Sequence, residues 1–386
     1  MRSPQPGYAL PVAASRNAAT TRSASGWSRS SAKASSAPGS RTPARIASTP
    51  LYAASITSHD VCVNAARRCV ACVHRLRCAQ YERSRHRDAD DHHSLTATRM
   101  TSVLAEVCAW AGLDPAGAEL VKFTNNAVFR LVGDPVVVRI AGSGAVRARV
   151  PKVLAVARWL AEHDMPSVRL LDDIEQPVRA GGHVATLRQQ VRATGPAPTG
   201  YDLAVILRRF HELPPPDFEL PAWRPVGPIR ERIAEARGLA DDDLAFLMVA
   251  CDEAEAALAS LRYVLAPGPI HGDGFLGNLI PGPDGPVICD FDSTSTGPRE
   301  WDLTPAAVGR LRFNYPVDTH GQLASAYEFD VMTWSGFPVL RRLRELQLVT
   351  SVLPVLDGNP GLREQWERRY RSFREEDDRV RWEAYR

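Results

Sequence analysis

One short segment, residues 270–303, does most to limit what this chain can fold into. It reads IHGDGFLGNLIPGPDGPVICDFDSTSTGPREWDL, and its glycines at 272, 274, 277, 282 and 285 oppose a helix. Apolar residues at 279–280 and 287–289 flank a Pro-Asp-Gly turn, which is the pattern of a β-hairpin. Because helical patterns lie on both sides, the fold must place one hairpin inside a helical region.

Oxygen-bearing side chains stand at both ends of this hairpin. Asp273 and Asn278 precede it, and Asp290 and Asp292 follow it. Because a hairpin brings its two ends together, we expect these side chains to meet beside the strand pair. Carboxylate and amide oxygens suit Mg²⁺, which keeps several waters and binds phosphates. A further carboxylate that is not held by the metal could accept a proton from a hydroxyl group.

The rest of the organised chain falls into two regions. Residues 101–191 predict a small α+β lobe with a helix at 101–113, a hairpin at 127–140, a helix at 150–163 with Pro151 in its first turn, and strands at 168–172 and 183–191. From residue 200 onward helical patterns dominate, and one of them begins at the acidic run 241–243. No run of about 18 uncharged apolar residues occurs, so no transmembrane helix is expected.

Three motifs follow one another in the hairpin segment: His271-Gly272-Asp273-x4-Asn278, Asp290-Phe291 and Gly297-Pro298-x3-Asp302-Leu303. In this order and spacing they resemble the aminoglycoside phosphotransferase family, which has a protein-kinase-like fold. The resemblance covers about residues 101–375. It implies an α+β, two-lobed protein-kinase-like fold, with a small N-terminal α+β lobe and a larger, mostly helical C-terminal lobe.

The resemblance also implies roles for the matched residues. Asp273 would be the catalytic base that orients the acceptor hydroxyl. Asn278 and Asp290 would hold Mg²⁺ across the nucleotide phosphates. His271 would steady the loop, and Asp302 would brace it from the following helix.

A nucleotide site is implied as well, with departures from the family pattern. Arg139 lies where the kinase-like fold carries its phosphate-pairing lysine, and Gln190 and Val191 lie in the link that would offer backbone groups to adenine. The helix that should supply an acidic partner has Val153 near the expected position, and no Glu occurs between residues 120 and 161. The ion pair that would hold Arg139 is therefore either missing or made by an acid from elsewhere, and we expect the nucleotide phosphate to be a partner of Arg139.

The first hundred residues have a different composition. They hold only 11 Val, Ile, Leu and Phe residues and a net charge of +10, whereas residues 101–386 have a net charge of −7. This predicts a disordered basic tail at 1–99, followed by lobes at 100–191 and 192–386. The Arg- and Ser-rich start is also typical of an organelle transit peptide, and Cys69 and Cys72 have zinc-knuckle spacing without a matching second pair.

These patterns together predict a phosphotransferase. It would use Mg²⁺ and move the γ-phosphoryl group of ATP or GTP to a hydroxyl of a small molecule, such as an aminoglycoside or another amino alcohol. The acidic balance of residues 101–386 argues against nucleic acid as a partner, and no membrane partner is expected. The isolated cysteines Cys108, Cys251 and Cys289 indicate a reducing, cytoplasmic compartment.

Two other functions fit the same residues. Arg139 and Val153 favour a catalytically impaired nucleotide-binding regulator. A metal hydrolase would instead use as ligands His271, Asp273, Asp290 and Asp292. On the phosphotransferase interpretation, Asp292 is a solvated loop acid and His211 is a surface or core histidine.

Overall fold

The computed structural model describes residues 97–123 and 126–385. The predicted disordered tail, the transit-peptide composition and the spacing of Cys69 and Cys72 therefore lie outside the described residues, except at one boundary. The first helix, α1 (Ala97–Ala111), includes residues 97–99, which we had assigned to the tail. Met100 is fully buried in this helix, so its first turn is already packed against the lobe.

The small lobe is built on a five-stranded antiparallel sheet in the order β1-β2-β3-β5-β4. Its strands are β1 (Glu119–Phe123), β2 (Asn126–Arg130), β3 (Val136–Ala141), β4 (Val178–Ala180) and β5 (His183–Gln189). Helix α1 packs on β3 and β4, and Leu104 joins Val138 and Leu187 in one buried cluster. The predicted first helix, the β2–β3 hairpin and the strand after the Gly-Gly turn are confirmed.

Residues 168–172 do not form the predicted strand. Their region makes single bridges to two partners, from Ser167 to Ile288 and from Leu170 to Arg188. The Val168 N–H donates to the Ile288 carbonyl at 3.0 Å, and the Leu171 N–H donates to the Leu187 carbonyl at 3.1 Å. The apolar residues fit a strand, but their backbone groups are divided between two neighbours, so no continuous ladder forms.

Helix α2 (Gly144–Glu162) begins six residues before the predicted start at residue 150, so Pro151 lies in its interior rather than in its first turn. The Ser143 side chain caps the helix by accepting from the Val146 N–H. An interior proline removes one helical hydrogen bond and costs about 3 kcal/mol. Burial of an apolar face, including Val150 and Leu154, offsets that cost.

Helices form most of the remaining chain. They are α3 (Gly200–His211), α4 (Val226–Glu235), α5 (Asp241–Ser260), α6 (Glu300–Arg312), α7 (Thr319–Tyr327), α8 (Phe337–Thr350), α9 (Leu353–Leu356) and α10 (Pro360–Arg374). The start of α5 at the acidic run is confirmed. The larger buried cluster contains residues of α2 as well as of these helices. Among the described residues, no helix is long and apolar enough to cross a membrane.

Two short strand pairs interrupt the helices where the hairpin was predicted. Strands β7 (Leu279–Gly282) and β8 (Gly285–Ile288) form the hairpin, with Leu279 paired to Ile288. Strand β6 (Gly268–Ile270), which leads into the motif at residue 271, pairs with β9 (Ser295–Gly297). Both ends of the hairpin therefore lie beside the β6–β9 pair.

The interior proline of α2 gives a prediction about stability. Pro151→Ala should raise the free energy of unfolding by about 1–3 kcal/mol, because it restores a backbone donor and removes a clash in an exposed part of the helix. Urea unfolding followed by circular dichroism measures the change. Arg158→Ala, at an exposed position of the same helix, is the control and should change stability by no more than about 0.5 kcal/mol. A less stable Pro151→Ala variant would show that the proline fits the helix better than its missing hydrogen bond indicates.

Candidate active site

The loop after β6 holds Asp273 and Asn278 against each other. A 3₁₀ turn at Leu276–Asn278 folds the chain back, and Asn278 Nδ2 donates to the Asp273 carbonyl oxygen at 2.9 Å and to Asp273 Oδ2 at 3.3 Å. Asn278 is buried, whereas the side chain of Asp273 remains 18% exposed. The amide nitrogen of Asn278 is thus used within the loop, so a cation could be bound only by its amide oxygen.

Glycine is required at position 272. Its backbone has a φ of +83°, and a Cβ atom there would lie 2.2 Å from the Ser293 carbonyl oxygen. The Gly272 carbonyl accepts from Trp301 Nε1 at 2.9 Å. Only a residue without a side chain lets the loop pass this close to the segment that follows Asp290.

The carboxylate of Asp302 on α6 fixes the loop of residues 271–278, which we call the catalytic loop after its candidate base, Asp273. The Asp302 carboxylate is fully buried and accepts from the His271 N–H through Oδ2 and from the Gly272 N–H through Oδ1, both at 2.7 Å. His211 Nε2 also donates to Oδ2, at 3.0 Å, and its Nδ1 lies 2.8 Å from the Tyr327 hydroxyl. Asp302 therefore braces the loop as predicted. His211, for which the sequence indicates no partner, is a buried residue that supports this carboxylate.

His271 uses both of its ring nitrogens inside the protein. Nε2 lies 3.0 Å from the Cys289 carbonyl and donates to it, while Nδ1 accepts a long hydrogen bond of 3.4 Å from the Asp273 N–H. The ring is fully buried and ties the catalytic loop to the end of β8. The metal hydrolase hypothesis needs His271 as a ligand, so this arrangement removes its main support. Within residues 97–123 and 126–385, no cluster of three or more His, Cys, Asp or Glu could hold a metal.

The hairpin brings Asp290 to the same place as Asn278. The Cys289 N–H donates to the Asn278 carbonyl at 2.9 Å, which joins the two ends directly. Asp290 has a left-handed backbone with φ of +69°, a conformation that costs a residue other than glycine about 1–2 kcal/mol. Its carboxyl group lies close enough to Asp292 to raise the pKa of that residue. Strain of this kind is common at functional sites, where surrounding structure maintains it.

Asp292 is not the solvated loop acid that we predicted. Its side chain is only 16% exposed and forms an ion pair with Arg139 of β3. Burial raises the pKa of Asp292 to about 6; the Arg139 guanidinium opposes this rise and the Asp290 carboxyl adds to it. Asp292 thus supplies the acidic partner that α2 lacks at Val153. Of the two alternatives that the sequence leaves open, no ion pair or an acid from elsewhere, the structure shows the second, because Asp292 lies on a loop far away in the sequence.

Two further cations, which sequence reasoning missed, surround this acidic pair. Lys152 Nζ of α2 donates to the carbonyl oxygens of Asp292 at 2.5 Å and Thr294 at 3.0 Å. Burial lowers the pKa of Lys152 to about 8, and Asp292 opposes that shift. Arg188 of β5 lies on the same face of the sheet as Arg139, and burial lowers its pKa to about 10. The alternation of polar and apolar residues along β5 could have revealed Arg188.

A separate arginine faces Asp273. Arg344 of α8 is buried, and its Nη1 lies 2.9 Å from Asp273 Oδ1. The contact is an ion pair without hydrogen-bond geometry, because Asp273 Oδ1 has no hydrogen-bond partner among the described residues. Arg344 Nη1 also donates to Gln347 Oε1 at 2.6 Å. Nothing in the sequence motif indicated this neighbour.

Gln190 and Val191 lie where β5 leaves the sheet and passes the hairpin. The Gln190 N–H donates to the Pro135 carbonyl at 2.7 Å, so it is engaged within the small lobe. Val191 is half-buried, and its side chain lies near Gly282 of β7. Contact of either residue with adenine stays a prediction.

Cavity volume does not mark this site. One cavity of about 490 Å³ lies between α2 and the β4–β5 hairpin, and another of about 340 Å³ lies between the start of α5 and α10. None of the predicted site residues lines either cavity. The case for the site therefore depends on its carboxylates, amide and cations.

Comparison with solved structures shows the same fold in small-molecule kinases. A choline/ethanolamine kinase family protein from Mesorhizobium loti matches with a TM-score of 0.51 and 15% identity, over 72% of this chain and 94% of that one. The amicoumacin kinase hAmiN, in complex with AMP-PNP, Ca²⁺ and Ami, gives 0.54 and 13%, over 74% and 98%. Choline kinase LicA from Streptococcus pneumoniae gives 0.53 and 15%, over 72% and 99%. These likenesses confirm the predicted kinase-like fold.

Comparison of sequences points the same way. No curated protein matches the chain. The model of the phosphotransferase enzyme family, APH, matches residues 120–346, which is more than half of the chain and includes the catalytic loop, the hairpin and Asp302. The chain therefore belongs to the phosphotransferase enzyme family.

Proposed function

We propose that the protein transfers the γ-phosphoryl group of ATP or GTP to a hydroxyl group of a small molecule. The observation that carries the proposal is the contact of Asp273 with Asn278, held beside Asp290 by the hairpin and by Asp302. By their names, the kinases that share the fold act on small molecules, and the structure of one of them contains AMP-PNP and Ca²⁺.

Asp273 is the proposed base. Its partly exposed carboxylate would accept a hydrogen bond from the acceptor hydroxyl and orient its oxygen toward the γ-phosphorus. The new bond joins that oxygen to phosphorus, the bond to the β–γ bridging oxygen breaks, and the nucleoside diphosphate leaves with the electron pair. Asp273 takes the hydroxyl proton. Its contact with Asn278 fixes the carboxylate in this position.

The donor set at the end of the hairpin fits Mg²⁺. Asn278 offers an amide oxygen and Asp290 a carboxylate, and the adjacent Asp290 and Asp292 raise the local negative charge. When bound, Mg²⁺ would supply charge neutralisation on the nucleotide phosphates. Mg²⁺ is usually held by one or two protein carboxylates plus phosphates, so a larger acidic cluster is not needed.

The nucleotide would lie between the sheet and the hairpin. Arg139, positioned by Asp292, and the buried Arg188 on the same sheet face provide positive charge for its phosphates. Gln190 and Val191 remain the proposed contacts to adenine. The structure favours this active arrangement over the impaired regulator, because Asp292 replaces the ion pair that Val153 cannot make.

The cellular compartment and the class of partner are proposed from the cysteines and the net charge. The thiols of Cys108 and Cys251 are free, which supports the proposal of a reducing, cytoplasmic compartment. The acidic balance of residues 101–386 supports a small-molecule partner rather than a nucleic acid.

Two substitutions distinguish the role of the proposed base, Asp273, from that of the proposed metal ligand, Asp290. Asp273→Asn should lower turnover by about 10² or more while nucleotide affinity stays nearly unchanged, because the lost group acts on the acceptor. Asp290→Ala should weaken Mg-nucleotide binding, because it removes a ligand carboxylate. Calorimetric titration with Mg-ATP and with Mg-GTP, alongside release of nucleoside diphosphate, measures both effects. Equal loss of nucleotide binding in the two variants would contradict this division of roles.

The ion pair of Arg139 and Asp292 gives a double-mutant prediction. Arg139→Ala should raise the Kd for Mg-ATP about tenfold, or about 1.4 kcal/mol. Asp292→Asn should act in the same direction, because it leaves Arg139 without its positioning partner. The double variant should bind no more weakly than the weaker single variant. Arg130→Ala, which breaks an exposed ion pair with Glu119 in the same sheet, is the control and should leave the Kd unchanged. Additive losses would mean that the two side chains act independently.

A further inference from the structure

The catalytic carboxylate Asp273 lies on a side of the site that is rich in arginine. Arg344 of α8 is paired with it at 2.9 Å and is only 4% exposed. Arg232 lies on α4, which packs directly against α8. Arg149 of α2 also lies close enough to affect the charge on Arg232. Arginines of three helices thus lie near one another on this side of the site, and one of them, Arg344, is paired with Asp273.

The positive charge here exceeds what the protein neutralises. Nη1 of Arg232 is buried and has no hydrogen-bond partner within the described part of the chain. Burial lowers the pKa of Arg232, Arg149 and Arg344 lower it further, and Asp273 and the exposed Glu231 oppose them. A buried donor without a partner is costly, and so is a group of like charges. Such a group is stable when a ligand supplies the missing acceptor.

The chemistry of that ligand follows from the donors. A guanidinium group binds carboxylate and phosphate through its fork of N–H groups, and these charge-assisted hydrogen bonds are the strong ones. The acceptor hydroxyl must come within hydrogen-bond reach of Asp273 to react. The rest of a small acceptor then lies beside Arg232 and Arg344.

We propose that the acceptor is a small hydroxyl compound that carries an anionic group, a carboxylate or a phosphate, close to the hydroxyl that is phosphorylated. The proposal rests on the proposed function and specifies its substrate class. Arg232 and Arg344 bind the anion and place the hydroxyl on Asp273. Their positive charge repels a cationic acceptor, such as the aminoglycoside or amino alcohol considered from the sequence. The net charge of −7 is an average over residues 101–386 and does not describe the charge beside Asp273.

The first experiment compares acceptors on the full chain with Mg-ATP. One arm contains the hydroxy acids L-homoserine and D-glycerate, a second contains D-glucose 6-phosphate, and a third contains the hydroxylated amines choline and kanamycin. ³¹P NMR detects the phosphorylated product. We expect turnover in an anionic arm at least about tenfold above the amine arm, and the two anionic arms distinguish carboxylate from phosphate. Faster turnover of an amine, or no turnover in either anionic arm by protein that binds Mg-ATP, would overturn the proposal.

The second experiment uses Arg232→Gln and Arg344→Gln with the best anionic acceptor. Each should raise the KM for that acceptor about tenfold, with little change in the KM for ATP. Arg230→Gln is a matched control on the same helix, because Arg230 pairs with Asp252 and Glu255 and not with Asp273. Thermal melting checks that all three variants fold. If one of the two target variants does not fold, the other still tests the proposal. A rise in the KM for ATP alone would place the arginines at the nucleotide and overturn the proposal.

The two hypotheses fail in different ways. If the protein phosphorylates an amine acceptor and this activity depends on Asp273, only the proposal of an anionic acceptor is contradicted. Failure of the folded protein to bind either Mg-ATP or Mg-GTP would contradict the proposed function itself.

Discussion

The buried carboxylate of Asp302 is the group on which the geometry of the catalytic loop depends. Its two oxygens accept from consecutive backbone N–H groups, those of His271 and Gly272, and from His211. A buried charge is costly unless hydrogen bonds satisfy it, so the loop cannot leave this position without exposing or stranding the carboxylate. Asp273, one residue further on, is therefore held by the fold and not by its own contacts alone.

Because the loop is held in this position, the acidic and basic side chains of the site form two separate groups. At the end of the hairpin, Asp290 and Asp292 face Arg139 and Lys152, in a region suited to phosphates and a divalent cation. At the loop itself, Asp273 faces Arg344, with further arginines behind it. The proposed base Asp273 is paired with Arg344, whereas Asp290, the proposed carboxylate ligand, lies beside Asp292, so the two carboxylates have different charged neighbours. One carboxylate is thus left to interact with the acceptor.

Local chemistry explains which features the sequence could predict. The hairpin follows from glycine, proline and apolar runs that are adjacent in the chain, and the motif from Asp273 to Asn278 fits within one turn. The bracing role of Asp302 follows from the resemblance and not from local chemistry, since Asp302 is 31 residues from His271. The predicted start of α2 at residue 150 treats Pro151 as a first-turn residue. The helix instead begins after the cap at Ser143, because burial of its apolar face offsets an interior proline.

Long-range pairing explains what the sequence could not predict. Arg139 and Asp292 are 153 residues apart, and Lys152 and Asp292 are 140 apart, so no window of the sequence contains either pair. Arg344 reaches Asp273 from a helix that carries no part of the motif. Residues 168–172 have the composition of a strand, but tertiary structure divides their hydrogen bonds between two partners.

The central claim is that this loop and hairpin form one metal-dependent phosphotransfer site. Crystals of the full chain grown with Mn²⁺ and a non-hydrolysable ATP analogue would test it most directly, because anomalous scattering locates Mn²⁺ without a model of the ligand. The account predicts Mn²⁺ on the Asn278 amide oxygen and the Asp290 carboxylate, with His271 uncoordinated and the γ-phosphate facing Asp273. Mn²⁺ bound to His271, or nucleotide bound away from this loop, would contradict it.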